Sequence, residues 1–215
     1  MAAARFLLHH APNSRSERIL WALEEAGCGY DIHWHDLNTG TQKDPAYLAV
    51  NPAGKVPALE DRGPDGDWQG AIVLESQAIC GYLADVVPEA GLAPLVGTPE
   101  RALYATWLSV GGAVLEPAFA DLAFPRAAPP PARALGWAPM GEVMERIERQ
   151  LGKTAFIAGD RFSAADLMVG GLLQWAVGWG KVTPEAATRR YLASLDARPA
   201  LARAKAKKLP PCQGG

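Results

Sequence analysis

Asn51-Pro52-Ala53-Gly54-Lys55-Val56-Pro57-Ala58-Leu59 is the stretch on which the fold turns. A proline removes a ladder donor and is kept out of sheet interiors, so Pro57 marks the start of an edge strand running from Val56 to Glu60. A Val-Pro step at that point is a natural place for a cis bond. Gly63-Pro64-Asp65-Gly66-Asp67 is a strong turn cluster. Gly70 to Leu74 then reads as the returning strand of a hairpin. Ser76 to Asp85 reads as a helix, with Ile79, Tyr82 and Leu83 on its buried side.

Upstream, Arg5 to Leu8 is apolar and of strand length, and His10-Ala11-Pro12-Asn13 is turn-like. From Ser14 the pattern is helical, with Ile19, Leu20, Leu23 and Ala26 on one face. Gly27 and Gly29 end that helix. Tyr30 to Trp34 alternates as a second strand. A strand, a helix and a strand within about 30 residues make a βαβ unit and imply a parallel pair. With a short helix over Lys43 to Val50, residues 1–86 read as a βαβαββα, α/β domain.

Residues 87–99 contain Pro88, Gly91, Pro94, Gly97 and Pro99, a linker composition. Residues 100–215 carry helical patterns and no convincing strand, so an all-α domain follows. Helices are expected over Glu100 to Phe124 (broken near Gly111-Gly112 and Pro117), Gly141 to Leu151, Ser163 to Val177, Pro184 to Leu195 and Pro199 to Lys207. The third of these is apolar nearly all round, so it is expected to be buried. Arg126 to Pro139 is proline-rich and reads as a loop.

The 215 residues carry 21 Lys+Arg against 23 Asp+Glu, a balance that argues against a nucleic-acid binder built on a basic surface. The charge is unevenly spread. Residues 1–86 hold 6 basic and 12 acidic side chains, and residues 87–215 hold 15 and 11, which supports two domains. No run of about 18 apolar residues suggests a membrane span. Met1 to Leu8 is too short for a secretory signal. Cys28, Cys80 and Cys212 lie far apart and read as reduced thiols of a cytoplasmic protein. No Cys-x-x-Cys pair and no phosphate-cradling glycine loop is present. His9, His10, His33 and His35 could meet across neighbouring strands, but without an accompanying carboxylate-rich helix they read as strand-face or loop histidines, and no metal is assigned. Arg203 to Lys208 reads as a solvated basic face.

Three short patterns fall at places where chemistry is available. The Val56-Pro57 step opens an edge strand at a natural place for a cis bond. Glu75-Ser76 stands at a helix N-terminus, where free N–H groups and the positive dipole end favour a carboxylate or a phosphate. Ser14-Arg15-Ser16-Glu17-Arg18 sets hydroxyls beside a second such terminus. A fourth stretch, Phe156 to Asp166, contains a capping box between Ser163 and Asp166 and a hydrophobic staple between Phe162 and Leu167. It reads as structural.

In this order and spacing the chain resembles the cytosolic glutathione S-transferase family, in the manner of its serine-type, bacterial-style members. The motifs Asn-Pro-x-Gly-Lys-Val-Pro-x-Leu and Glu-Ser-x-Ala-Ile-x-x-Tyr-Leu carry the likeness, and it extends from Phe6 to about Ala206. The resemblance implies a thioredoxin-like glutathione domain, a helical domain with an electrophile site, a homodimer, a detoxification role, and glutathione as co-substrate without a metal. Glutathione's cysteinyl backbone would pair with Val56, aimed outward by a cis Pro57. Its γ-glutamyl end would meet Glu75 and Ser76, and its glycyl carboxylate Lys55 and Gln42. Ser14 is the first choice for the hydroxyl that stabilises the thiolate, with Asn13 and Ser16 as rivals. The electrophile would meet Tyr104, Trp107, Val110 and an opening at Gly111, with His10 at the mouth. Trp137, Trp175 and Trp179 are further wall or lid residues. No cysteine stands at the donor position, which counts against thiol exchange. A peroxidase or lyase of the same fold, or a non-catalytic interaction module, stays open.

Overall fold

The computed structural model describes residues 4–128, 130–207 and 209–210. Pro129, Lys208 and Cys212, and the first three residues of the N-terminal stretch, lie outside them. The chain divides into two compact units. The first runs to Ala90 and takes in the residues from Arg198 onward. The second is Gly91–Ala197. The expected division gave the whole of 100–215 to the helical domain; its last helix packs with the first unit.

The first unit is built on β1 (Phe6–His10), β2 (Tyr30–Trp34), β3 (Ala58–Asp61) and β4 (Ala71–Leu74), in the order β2-β1-β3-β4. β1 and β2 are parallel, joined by α1 (Ser16–Ala26), and β3 lies antiparallel to both β1 and β4. Gly27 ends α1 at φ 66°, a left-handed position, and returns its N–H to the Leu23 carbonyl. Side chains alternate across β1. Phe6 and Leu8 are fully buried, as are Ile19, Leu20 and Leu23 of α1 and Ile79 and Leu83 of α3 (Ser76–Val86). His9 points to the opposite face, where Tyr47 of α2 (Pro45–Val50) packs on its ring.

Asp61, at the end of β3, is wholly buried and holds the unit together. Its carboxylate accepts from Arg5 Nε and Nη2 at 2.9 and 2.8 Å, from the Gly63 N–H at 2.8 Å and from the Tyr82 hydroxyl at 2.9 Å.

Helix α9 (Pro199–Lys207) is docked on α1. Arg198 forks onto Glu25 at 2.5 and 2.7 Å, while Arg203 and Lys207 both reach Glu24 at 2.6 Å. Arg203 and Lys207 are therefore ion-paired, and both side chains stay half-exposed, in keeping with a solvated basic face. Glu24 and Glu25 contribute to the acidic excess of the first 86 residues. The matching cations come from the far end of the chain.

The second unit comprises α4 (Pro99–Val110), α5 (Glu116–Ala123), α6 (Met140–Leu151), α7 (Ala164–Gly178) and α8 (Ala186–Asp196). Helix α7 is its centre, with Leu167, Val169, Leu172 and Leu173 fully buried. The capping box forms at its start. The Asp166 carboxylate accepts from the Ser163 N–H and hydroxyl, the Ile157 N–H and the Tyr191 hydroxyl at 2.8–3.1 Å. Burial pushes that carboxyl up to about 6 even against these donors. Gly111–Leu115 continues α4 as a π-helical turn, so the expected break is a change of pitch. A Cβ on Gly111 would lie 2.6 Å from the Met168 Cβ. That glycine permits close approach of α4 and α7, and it does not open a wall.

Candidate functional site

Ala58 pairs with both His9 and Leu74. This register brings the end of β1, the start of β3 and the end of β4 to one end of the sheet. The loop after β1, the Val56-Pro57 step and Glu75-Ser76 thus converge, although they are far apart in sequence.

The Val56–Pro57 bond is cis. β3 begins at Ala58, two residues later than the expected Val56, and it lies between β1 and β4, an interior strand rather than the expected edge. Among the described residues the Val56 N–H and C=O make no hydrogen bond. The segment before them is firmly held. The Lys55 carbonyl accepts from the Tyr47 hydroxyl at 2.6 Å and Asn51 Nδ2 at 2.8 Å, and Lys43 Nζ reaches the Ala53 carbonyl at 2.7 Å. Burial pushes the Tyr47 hydroxyl up to about 12, so it remains a donor at neutral pH. Gly54 sits at φ 55°, and a Cβ there would lie 2.8 Å from the Gln42 carbonyl oxygen. Glycine is required twice over, by conformation and by space. Gln42 is half-buried and Lys55 exposed.

Glu75 is exposed and adopts φ 67°, unusual for a residue with a Cβ. A conformation of that kind costs about 1–3 kcal/mol and is concentrated at functional positions. Ser76, the first residue of α3, lies beside it. Among the described residues the Ser76 hydroxyl has no protein partner.

The three donor candidates are separated by their surroundings. Ser16 is completely buried. Its Oγ lies 2.7 Å from His10 Nδ1, accepts the Ala11 N–H at 3.1 Å and lies 3.1 Å from the Ala11 carbonyl. A hydroxyl so enclosed cannot meet a ligand, which corrects its candidacy as a direct donor. Ser14 lies nearer the surface, at 8% exposure. Its hydroxyl is 2.7 Å from the Ala11 carbonyl and 2.6 Å from Ser16 Oγ, and it accepts the Ser16 N–H at 3.2 Å. Asn13 is exposed at φ 54°, with its N–H on Glu17. His10 is fully buried against Ser16 and the edge of Trp34, so it is not at a mouth. Burial raises both described cysteines, Cys80 to about 12, so neither offers a ready thiolate at neutral pH.

In the second unit Tyr104, Trp107, Val110 and Gly111 are all buried. A cavity of about 1100 Å³ lies in the same unit, and none of those four lines it. Its walls include Val114, Leu122, Trp137, Met140 and Arg146. Trp137 is held by its indole N–H on Asp121 at 2.9 Å. Trp107 stands behind Arg146, whose guanidinium lies 5.1 Å from its ring centre. Trp175 and Trp179 stack on each other elsewhere. The sequence signal for the cavity was Trp137, an isolated large aromatic in a proline-rich loop.

On the far face of the sheet the histidines do meet. His9 Nδ1 lies 3.0 Å from His35 Nε2, and His9 Nε2 lies 2.8 Å from Glu60 Oε1. Burial, then the rings of His33 and His9, bring His35 down to about 4.

Residues 14–86 match the family described as "Glutathione S-transferase, N-terminal domain", and residues 130–203 match "Glutathione S-transferase, C-terminal domain". The chain is 34% identical to glutathione S-transferase 3 of Zea mays over 160 residues, covering 69% of this chain and 68% of the relative. Among solved structures, a glutathione transferase from Methylococcus capsulatus is 30% identical with a TM-score of 0.75, covering 94% of this chain and 98% of that one. A sphingomonad glutathione S-transferase complexed with glutathione is 29% identical with a TM-score of 0.73, covering 95% and 100%.

Proposed function

Because this chain belongs to the glutathione S-transferase family, we propose that it conjugates glutathione to small apolar electrophiles, with Ser14 stabilising the thiolate. The observation that carries the reading is the unpaired Val56 backbone beside the strained Glu75-Ser76 corner. That unpaired backbone, just ahead of β3, suits the cysteinyl backbone of a peptide, which pairs as another strand would. The γ-glutamyl carboxylate goes to Ser76 and the N-terminus of α3, and its amine to the Glu75 carboxylate. Lys55 and Gln42 are assigned to the glycyl carboxylate.

A free thiol titrates near 8.5. Lowering it by two units needs about 2.7 kcal/mol of preference for the anion. A hydrogen bond to a charged group supplies about 1.5–3 kcal/mol, and a helix terminus adds about 0.3–1. The Ser14 hydroxyl has one proton, now within reach of the Ala11 carbonyl. Ser16 Oγ, 3.1 Å from the same carbonyl, can take over that acceptor when Ser14 turns to the sulfur. The thiolate then attacks the electrophilic carbon, the C–S bond forms, and the leaving group departs with its electron pair or the adduct is protonated.

The test is glutathione-dependent turnover of an aryl halide, an isothiocyanate and a hydroperoxide. Conjugation of either of the first two supports the proposal. Turnover of the hydroperoxide alone identifies a peroxidase instead. No turnover, with no calorimetric binding of millimolar glutathione, leaves an interaction module. A homodimer is proposed as well. A sedimentation mass of a single chain would refute it.

A further inference from the structure

We propose that His9, His33 and His35 form a binding site for one zinc ion, supported by Glu60 and separate from the conjugation chemistry. His9 on β1 and His33 on β2 are direct partners in the parallel register. His35 follows two residues later, so it returns to the same face. One nitrogen from each ring can be chosen so that all three lie within 4.8 Å of one another. Zinc binds imidazole nitrogen at about 2.0–2.1 Å in a tetrahedron, which sets ligand nitrogens about 3.3 Å apart. The His9–His35 pair, at 3.0 Å, is already near that spacing. His33 is exposed, and a small side-chain rotation closes the remainder.

The protonation pattern is compatible with an ion once the His35 N–H gives up its proton. A carboxylate only accepts, so Glu60 at 2.8 Å requires a proton on His9 Nε2. His9 Nδ1 is then a lone pair, and it is aimed at His35 Nε2. Histidines that bind metals characteristically give their other N–H to a carboxylate, which fixes the tautomer. The Tyr47 ring backs both buried imidazoles at 4.8 and 4.2 Å and restricts their rotation. His33 leaves the solvent side open, where water can complete the tetrahedron. Three imidazoles and no thiolate suit zinc among the biologically common divalent ions. They do not suit magnesium or calcium, which prefer oxygen ligands.

The test uses the untagged full-length chain and zinc in competition with a chromophoric chelator. We expect one zinc per chain. His33→Ala, at an exposed position, should weaken binding about 10-fold or more, and Glu60→Gln about 10-fold, with circular dichroism unchanged. Cobalt(II) should give four-coordinate visible bands without a thiolate charge-transfer band. Failure to take up zinc, uptake that survives His33→Ala, or a thiolate band abolished by Cys28→Ser would overturn the assignment. Unchanged affinity in Glu60→Gln would overturn the role given to that carboxylate.

Discussion

Replacing Ser14 by alanine separates the chemistry of its hydroxyl from its part in folding. In Ser14→Ala the Ala11 carbonyl keeps Ser16 Oγ at 3.1 Å, and Ser16 keeps His10 Nδ1 at 2.7 Å. The Ser16 N–H loses a long acceptor at 3.2 Å, the Ser16 hydroxyl loses its partner at 2.6 Å and the Ala11 carbonyl loses its donor at 2.7 Å. Because Ser16 Oγ keeps other partners, the folding cost should be about 1–2 kcal/mol. The bound thiolate loses a charged hydrogen bond of about 1.5–3 kcal/mol, so its pKa should rise by about 1–2 units. Turnover below that pKa should drop about 10- to 100-fold and recover as pH rises. The assay is kcat/KM against pH with saturating electrophile, together with ultraviolet absorption of the bound thiolate. Glutathione affinity should change little, because Val56, Glu75 and Ser76 hold the peptide. Ser16→Ala should behave oppositely. It strips the Ala11 N–H and His10 of partners, costs stability, and leaves the pH profile in place. A Ser14→Ala profile identical to that of the parent would refute the reasoning. If Asn13→Ala moved the profile instead, the donor would be Asn13.

Gly54→Ala forces a Cβ into a left-handed residue and against the Gln42 carbonyl at 2.8 Å. It should cost about 1–2 kcal/mol or more and raise the KM for glutathione, read by thermal unfolding and kinetics. Asp166→Ala removes a carboxylate that serves the Ile157 and Ser163 N–H groups and the Tyr191 hydroxyl. With those donors left buried, denaturant unfolding should show a loss of about 3 kcal/mol or more. Glu24 and Asp61 contribute to the acid limit. Burial opposes their ionisation, but Lys207, Tyr30 and Arg203 around Glu24, and Arg5, Gly63 and Tyr82 around Asp61, outweigh it and hold both carboxyls below their ordinary values of 4.5 and 3.8. Depressed folded values mean stability that is complete above the ordinary values and lost as pH falls through the folded ones. The urea midpoint should fall between about pH 5 and 2, and Glu24→Gln should shrink that fall.

The strands and the caps were legible because each rests on local rules. Gly27 ends α1 and the Ser163–Asp166 capping box begins α7 where turn and cap chemistry put them. Tyr47 and Asn51, which hold the Lys55 carbonyl, were not singled out, although an Asn after a short helix is a recognised turn residue. Long-range pairing was not legible. Nothing near Arg198 to Lys207 announces that its partners are Glu24 and Glu25, more than 170 residues earlier. The enclosure of Ser16 and His10 also depends on how a loop folds back on itself, which residue type alone does not encode. Gly111 showed the same limit, since its neighbour Met168 is brought in by tertiary packing.

A crystal structure of the protein with glutathione tests the central claim most directly. The account predicts the cysteinyl backbone paired with Val56, the γ-glutamyl group on Glu75 and Ser76, and the sulfur within hydrogen-bonding distance of Ser14 Oγ, with Ser16 then donating to the Ala11 carbonyl. Glutathione bound away from Val56, or with its sulfur on another donor while Ser14 still faces Ala11, would contradict it.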